Sequence, residues 1–479
     1  MLERRAQRGE LVVSTTAVPH RLHFIGIGGA GMSALARYAA AKGHLVSGSD
    51  RRASAAAELE PDGIRVYGSH DPQQLEGAEL VVSSSAIPES NPVLAAAHQR
   101  GLEVILRGEL LARFVRSHPN GVAVCGTHGK GTTAGALVSM LEAPVSYVLG
   151  AKLRATERAT EHHDGSRFLV AEVDESDRTH LLHRPNHLLI NNVEPDHLDT
   201  YGTFEAVLEA FEGLVRHFFE AHSQSPHGGP GRFVLGLNES GSRALFERVG
   251  GLGAVVTCGF DVGDIQGRAL TALPDGRVQF ELWRHGEHLG ELETGLKGAL
   301  NARNVLSAAA LALELGVDFL AVQRAARAYE GLVDRFQEVE VNGRVLITDY
   351  TSHPTSIEGN LASLRARHFE EVHAVFQPFR YSLLSFLWAD YLRALSGADV
   401  VYLAPMDPGG EAPVPGISGE DLAVALREAG VRVVSSPSID AIETQLRTLS
   451  AGTVAIVFGG GALFDMARRV CEHHTANRR

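Results

Sequence analysis

Lys130 lies in the stretch Gly126-Thr127-His128-Gly129-Lys130-Gly131-Thr132-Thr133, between an apolar run that reads as a strand and a longer one that reads as a helix. A glycine turn in that setting aims backbone N–H groups at a phosphate. The helix start adds positive potential, and a lysine reaches the terminal phosphates of a nucleotide. The stretch breaks the strict nucleotide-loop spacing twice. Only Thr127 and His128 separate Gly126 from Gly129, and Gly131 stands where Ser or Thr normally follows the lysine. Thr132 and Thr133 come next and offer hydroxyls to a metal ion. Alone, the loop is balanced between phosphate binding and an ordinary turn; the strand–loop–helix setting tips it towards phosphate.

A loop that handles ATP needs Mg2+ and carboxylates to help hold it. One apolar run ends in Glu172, Asp174, Glu175 and Asp177, and a later one in Glu194, Asp196, His197 and Asp199. Ligands of open α/β sheets gather beyond the carboxyl ends of the strands, so both clusters are expected on the edge that carries Lys130. Some of these carboxylates are ordinary helix N-caps.

An earlier glycine turn, Gly26, Gly28, Gly29, Ala30, Gly31, Met32 and Ser33, follows its own strand, and Asp50 ends the next apolar run. Read by itself this is a dinucleotide fingerprint of the dehydrogenase kind. Hydride transfer has no use for the second loop. An enzyme that spends ATP on a nucleotide-linked substrate needs both.

The elements that must position these residues are strand-like runs alternating with helical patterns, which predicts parallel α/β architecture. Residues 1–20 read as a disordered leader, 21–118 as a first domain, 119–328 as a second and 329–479 as a third. The turn-rich Arg116–Gly121 makes the first joint. The segment "AHSQSPHGGPGR", Ala221–Arg232, reads as a loop, and its histidines, like His162 and His163, as solvated rather than metal-binding. A helix "NARNVLSAAALALELG" ends the second domain, and strands "RVLITDY", "EVHAVFQP", "DVVYLAP", "VRVVSS" and "TVAIVFGGG" build the third.

Bulk properties narrow the class. A chain of 479 residues exceeds what one core usually serves. The net charge of −13 argues against a nucleic-acid-binding surface. Cys125, Cys258 and Cys471 make no disulfide framework and no metal spacing, which fits the cytoplasm. No apolar run nears the roughly 20 residues of a membrane span, and the N-terminus lacks the apolar core of a signal peptide. A monomer or homodimer without membrane or nucleic-acid partners is expected.

These motifs together resemble the Mur ligase family, and within it the alanine-adding branch. "GIGGAGMS", "SSSAIPESNP", "RGELL", "GTHGKGTT", "AEVDESD", "NVEPDHLDTY", "NARN", "RFQ", "DYTSHPT", "FQPFRYS" and "GGEAPVPGI" occur in family order from about His20 to Ala467. The resemblance implies an N-terminal Rossmann-like domain, a central P-loop ATPase domain with a mostly parallel sheet, and a C-terminal Rossmann-like domain. It implies an ATP- and Mg2+-dependent ligase that joins L-alanine to the lactyl carboxylate of UDP-N-acetylmuramate through an acyl phosphate. Lys130, Glu172, His197, Arg335 and Asp349 take catalytic places. Gly126 to Thr133, Asn301, Asn304 and Arg335 hold ATP, and Thr132, Glu172 and His197 hold the metal; the alternative for His197 is a structural hydrogen bond or a substrate contact. Gly26 to Ser33 of the first turn, Asp50 and Ser84 face the UDP end. His353, Arg380 and Tyr381 face the amino acid; the alternative for Arg380 is a surface ion pair.

The chain also departs from the family pattern. Leu300 stands where His usually precedes the first Asn, Asp334 where Arg precedes Arg335, and Thr351–Ser352 where Gly–His is usual. Phe379 and Leu383 replace His and Arg, and Gly131 replaces Thr. Two other readings follow: a family member that attaches a recovered peptide to the same sugar nucleotide, and a non-catalytic homologue that keeps the nucleotide sites.

Overall fold

A computed structural model describes residues 17–52, 54–142, 144–223 and 231–476. Most of the expected leader, 1–16, and most of the expected loop, 224–230, therefore lie outside the described residues. The first sheet contains β1 (Arg21–Ile25), β2 (Leu45–Ser49), β3 (Arg65–Tyr67), β4 (Leu80–Ser83) and β5 (Glu103–Leu106), in the order β3-β2-β1-β4-β5, all parallel. The chain reverses its winding between β1 and β4, which opens a crevice beyond the ends of these two strands. The glycine turn after β1 and Ser84 after β4 flank it.

The central sheet runs through β6 (Gly121–Cys125), β7 (Val145–Val148), β8 (Thr160–Glu161), β9 (Phe168–Glu172), β10 (His187–Ile190), β11 (Arg232–Gly236), β12 (Val256–Phe260), β13 (Ile265–Ala272), β14 (Arg277–Arg284) and β15 (Glu287–Lys297). Its order is β15-β14-β13-β12-β11-β10-β6-β9-β7-β8. The strand β6 lies between β9 and β10, parallel to both, so the loops that leave all three strands meet on one edge. Buried on both faces, β6 reads as a continuous apolar run. The antiparallel meander β13–β15 lengthens this sheet, a part the sequence reading did not anticipate.

The third sheet has β16 (Gln337–Val341), β17 (Arg344–Asp349), β18 (Glu371–Phe376), β19 (Val400–Leu403), β20 (Arg432–Ser435) and β21 (Thr453–Phe458), in the order β16-β17-β21-β18-β19-β20. Only β16 is antiparallel to its neighbour. The three-domain α/β architecture expected from the motifs is the one observed.

Two loop expectations need correction. The helix Phe204–Ser223 continues through Ala221, because its apolar face, including Phe211, Leu214 and Phe218, packs into the core, and Arg232 already belongs to β11. His222 is part of that helix and contacts the carbonyls of Phe218 at 2.7 Å and Asn186 at 3.1 Å. His162 is not a solvated loop residue either: its ring meets Tyr38 edge-on at 5.4 Å.

One apolar cluster passes from Phe24, Leu35 and Phe114 of the first domain into Ala123, Leu169 and Phe211 of the second. The clusters of the third domain begin at Phe336 and contain no residue before it. Its contacts with the central domain are largely polar, among them Lys297 with Glu338 and Thr355 with Glu194. Polar interfaces of this kind suit domain movement; an extended apolar core does not. No helix among the described residues is long and apolar enough to cross a membrane.

Candidate active site

Gly126 and Gly129 adopt φ values of +138° and +72°, in the region that glycine tolerates and other residues resist. They turn the chain from β6 into the helix Lys130–Met140, whose N-cap, Gly129, supplies no side-chain hydrogen bond. The first amides of that helix are therefore left for an anion. Behind the turn, Asn192 holds it: its side-chain oxygen accepts from His128 N at 3.0 Å, and its carbonyl accepts from Thr127 N at 3.2 Å.

Lys130 Nζ donates to both carboxylate oxygens of Glu175, at 2.8 and 3.0 Å, and to Thr127 O at 3.1 Å. Burial works against its charge, but Glu175, Asp174 and Glu172 outweigh burial and hold the lysine protonated. Glu175 is pushed up to about 7, first by burial and then by Asp174, in spite of the lysine. Asp174 stays down at about 2: burial opposes its ionisation, but Lys130 and Arg107 prevail. His197 Nε2 lies 3.5 Å from Glu175. Asp174, Glu175 and His197 thus form one ligand-capable group, while Glu172 accepts Gly150 N at 2.6 Å. Thr132, Glu172 and His197 all line the same cavity of about 850 Å³. Thr133 does not; it is wholly buried in the helix.

Asn301 and Asn304 line this cavity and brace the loop. Asn304 accepts from Asn191 Nδ2 at 2.9 Å and donates to Asn301 at 3.3 Å. A Cβ on residue 129 would collide with the Asn304 side-chain oxygen and close on Asn191. Gly129→Ala is accordingly expected to weaken ADP binding at least about 10-fold and to destabilise the protein by about 2 kcal/mol, from left-handed strain together with the displaced amide. Calorimetric titration with ADP and a thermal melt check both effects.

The third domain closes the far side. Arg335 lies over the Tyr350 ring at 4.9 Å. Asp349, buried beside it, accepts from Phe336 N at 3.2 Å and from Asn360, and burial raises its pKa against the pull of Arg335. Both residues line the cavity, as does His353, whose ring stacks on His128 at 5.4 Å. Arg380 is paired instead with Asp199 of the central domain and lies over Phe379 at 5.2 Å. In this arrangement it is the ion pair of the alternative reading. Tyr381 begins the short helix Tyr381–Phe386.

In the first domain Gly26 has φ +79°, and Asp50 accepts from Gly28 N at 2.8 Å. Asp50 therefore ties down the turn. Gly29 caps the helix Ala30–Ala41 without a side-chain bond, so Ala30 and Gly31 offer free amides, whereas Met32 and Ser33 point inward. Ser84 Oγ accepts from Ala86 N at 3.3 Å at the other rim of the crevice.

Sequence reasoning missed Arg107. It opens the helix Arg107–Ser117, packs against Gly31 of the first turn and reaches Asp174 at 3.3 Å. It thereby links the first glycine turn to the acidic loop beside Lys130. A cation in the first turn of a helix opposes the helix dipole, and that was the available signal.

Family profiles match the chain almost end to end: "Mur ligase family, catalytic domain" over residues 21–119, "Mur ligase middle domain" over 124–312 and "Mur ligase, glutamate ligase domain" over 334–461. The UDP-N-acetylmuramate--L-alanine ligase of Halorhodospira halophila is 36% identical over 464 residues, covering 94% of this chain and 93% of that protein. The chain belongs to the Mur ligase family. Solved Mur ligases share its fold. The UDP-N-acetylmuramate-alanine ligase MurC of Thermotoga maritima matches with a TM-score of 0.78 and 24% identity, over 95% of this chain and 99% of that one. The murein peptide ligase of Psychrobacter arcticus follows at 0.66 and 21%, over 95% and 98%. Three α/β domains here meet around one cleft, which Lys130 enters from the central domain and Arg335 from the third.

Proposed function

We propose that this Mur ligase joins L-alanine to the lactyl carboxylate of UDP-N-acetylmuramate with hydrolysis of ATP to ADP and phosphate, a step in building peptidoglycan precursors in the cytoplasm. The observation that carries the reading is one cavity in which Lys130 and Glu172 face Arg335, Asp349 and His353, in a chain 36% identical to an alanine-adding ligase. We place the domain boundaries at residues 118/119 and 328/329.

A carboxylate and an amine do not condense unaided; the carboxylate must first gain a leaving group. The lactyl carboxylate attacks the γ-phosphoryl group of ATP, the bond to the β-phosphate oxygen breaks, and ADP leaves an acyl phosphate behind. The alanine amine then attacks the acyl carbon, and phosphate leaves the tetrahedral intermediate. Lys130 and the amides at the start of its helix stabilise the charge on the transferring phosphoryl group. Arg335 adds positive charge from the opposite wall, and Asp349 beneath it fixes the Phe336 backbone. The turn Gly26, Gly28, Gly29, Ala30 and Gly31, held by Asp50, receives the diphosphate of UDP through the free amides of Ala30 and Gly31, with Met32 and Ser33 packed behind it, and Ser84 flanks the uridine side. Asn301 and Asn304 support the nucleotide side. His353 faces the amino acid, and Arg380 and Tyr381, just beyond the lining residue Phe379 in the chain, are further candidates; Arg380 must leave Asp199 to reach a carboxylate. Acyl phosphates hydrolyse, so the third domain serves to exclude water.

The donors fit Mg2+, which prefers oxygen ligands: Thr132 and Glu172 line the cavity with His197, and Asp174 and Glu175 gather around that histidine. Bound there, Mg2+ neutralises phosphate charge.

Purified protein supplied with ATP, Mg2+ and UDP-N-acetylmuramate is expected to release phosphate when L-alanine is added. The reading fails if only the recovered peptide supports release, or if no amino acid does.

A further inference from the structure

His128, Glu194 and His353 form a second group of metal-type donors, apart from Asp174, Glu175 and His197: one donor atom of each lies within 4.8 Å of the other two. His128 comes from the lysine loop, Glu194 from the segment after β10, and His353 from the third domain at the start of the helix Pro354–Arg365. The Glu194 carboxylate is already shared between domains. One oxygen contacts His128 Nε2 at 2.6 Å, and the other accepts from Thr355 Oγ1 at 3.0 Å.

His353 gives the group its direction. It is 9% exposed, and its Nε2 contacts the carbonyl oxygen of Pro195 at 3.2 Å. A carbonyl can only accept, so Nε2 carries the proton and Nδ1 keeps a bare lone pair. That Nδ1 is buried and has no hydrogen-bond partner among the described residues. An unpaired buried acceptor costs free energy that a cation would recover. An imidazole tied through its far N–H to a backbone carbonyl is also the usual way a metal-binding histidine is oriented.

We infer that His128, Glu194 and His353 bind a zinc-class divalent cation that fastens the third domain to the central domain. Two imidazoles and one carboxylate suit zinc and its transition-metal neighbours and leave a fourth position for water; Mg2+ prefers an all-oxygen shell. Binding replaces the single His128–Glu194 hydrogen bond with bonds from both residues to the ion. Because the ligands come from two domains, the ion holds the cleft in its closed arrangement and slows turnover.

The test is zinc binding by tag-free, full-length protein in excess Mg2+, measured by equilibrium dialysis with elemental analysis. The expected result is one zinc per chain, bound at least about 10-fold more weakly by His353→Gln and by Glu194→Gln, and unchanged in Glu175→Gln. Cobalt in place of zinc should give wild-type protein the intense visible absorption of a four-coordinate site, a readout independent of variant folding. Equal zinc affinity in wild type and in the His353 and Glu194 variants overturns the inference. So do loss of zinc in the Glu175 variant alone, absence of bound zinc in the wild type, and a weak six-coordinate cobalt spectrum.

Discussion

Lys130→Ala protein is expected to release phosphate at least about 10³-fold more slowly than wild type, with ATP, UDP-N-acetylmuramate and L-alanine all saturating. Without ATP, Lys130 bridges Glu175 and the Thr127 carbonyl at the mouth of the loop. Its charge is assured, because three neighbouring carboxylates outweigh the burial that opposes it. A fixed cation next to free helix amides stabilises a transferring phosphoryl group without reorganising, and an alanine removes that cation outright. Folding should survive the change. A buried carboxylate that loses its partner normally destabilises a protein severely. Burial already raises Glu175 to about 7 with the lysine present, so loss of the lysine raises it further and lets the carboxyl take up a proton in place of leaving a bare charge inside. Lys130→Arg should not restore the rate, since the guanidinium is broader than the ammonium and the side chain is only 13% exposed. Steady-state phosphate release and a thermal melt on the same preparations decide the matter. An alanine variant that keeps more than about a tenth of the wild-type rate excludes Lys130 from the chemistry.

The parts of this site that were legible in sequence share a physical cause. Parallel strands buried on both faces leave unbroken apolar runs, so β6, β9 and β10 and the loops after them could be located and placed on one edge. The meander β13–β15 was not anticipated: in β14, for example, buried and part-exposed residues alternate, and no such apolar run marks it. Within the acidic clusters, type and spacing could not rank Glu172 above Glu175. The loop after β9 bends so that Glu175 lies under Lys130 while Glu172 turns to Gly150. No local pattern announces such long-range pairing. The ties across domains, Arg107 to Asp174, Thr355 to Glu194 and Arg380 to Asp199, were hidden for the same reason.

Acidification from pH 8 to pH 5 is expected to lower the thermal midpoint sharply, because the fold keeps several histidines neutral. Burial is the largest cause: it holds His180 and His183 down at about 3 and His23 and His187 at about 4; positive or imidazole groups nearby add to it, while Asp174 pulls His180 the other way. Both imidazoles lie wholly inside the fold, and burial outweighs the backbone groups of Ala210 and Gly108 that favour their protonated forms. The unfolded chain takes up these protons below about pH 6.5 and the folded chain does not. The unfolded state therefore binds more protons, and stability falls as pH falls through the interval from about 6.5 towards 3. At pH 5 His180 and His183 each cost about 2 kcal/mol relative to pH 8. Glu175 acts in the opposite sense: its raised pKa favours the folded state as pH drops below 7, by about 2.5 kcal/mol at pH 5. Burial raises Asp349 and Glu239 as well, in the same sense as Glu175, and the four histidines are expected to outweigh these carboxylates. Scanning calorimetry across this range measures the balance, and a midpoint that holds steady or rises towards pH 5 refutes it. His180→Phe localises the effect. The new ring would meet Phe211, whose ring already lies 5.4 Å from the imidazole, and the loss between pH 8 and 5 should shrink by about 2 kcal/mol.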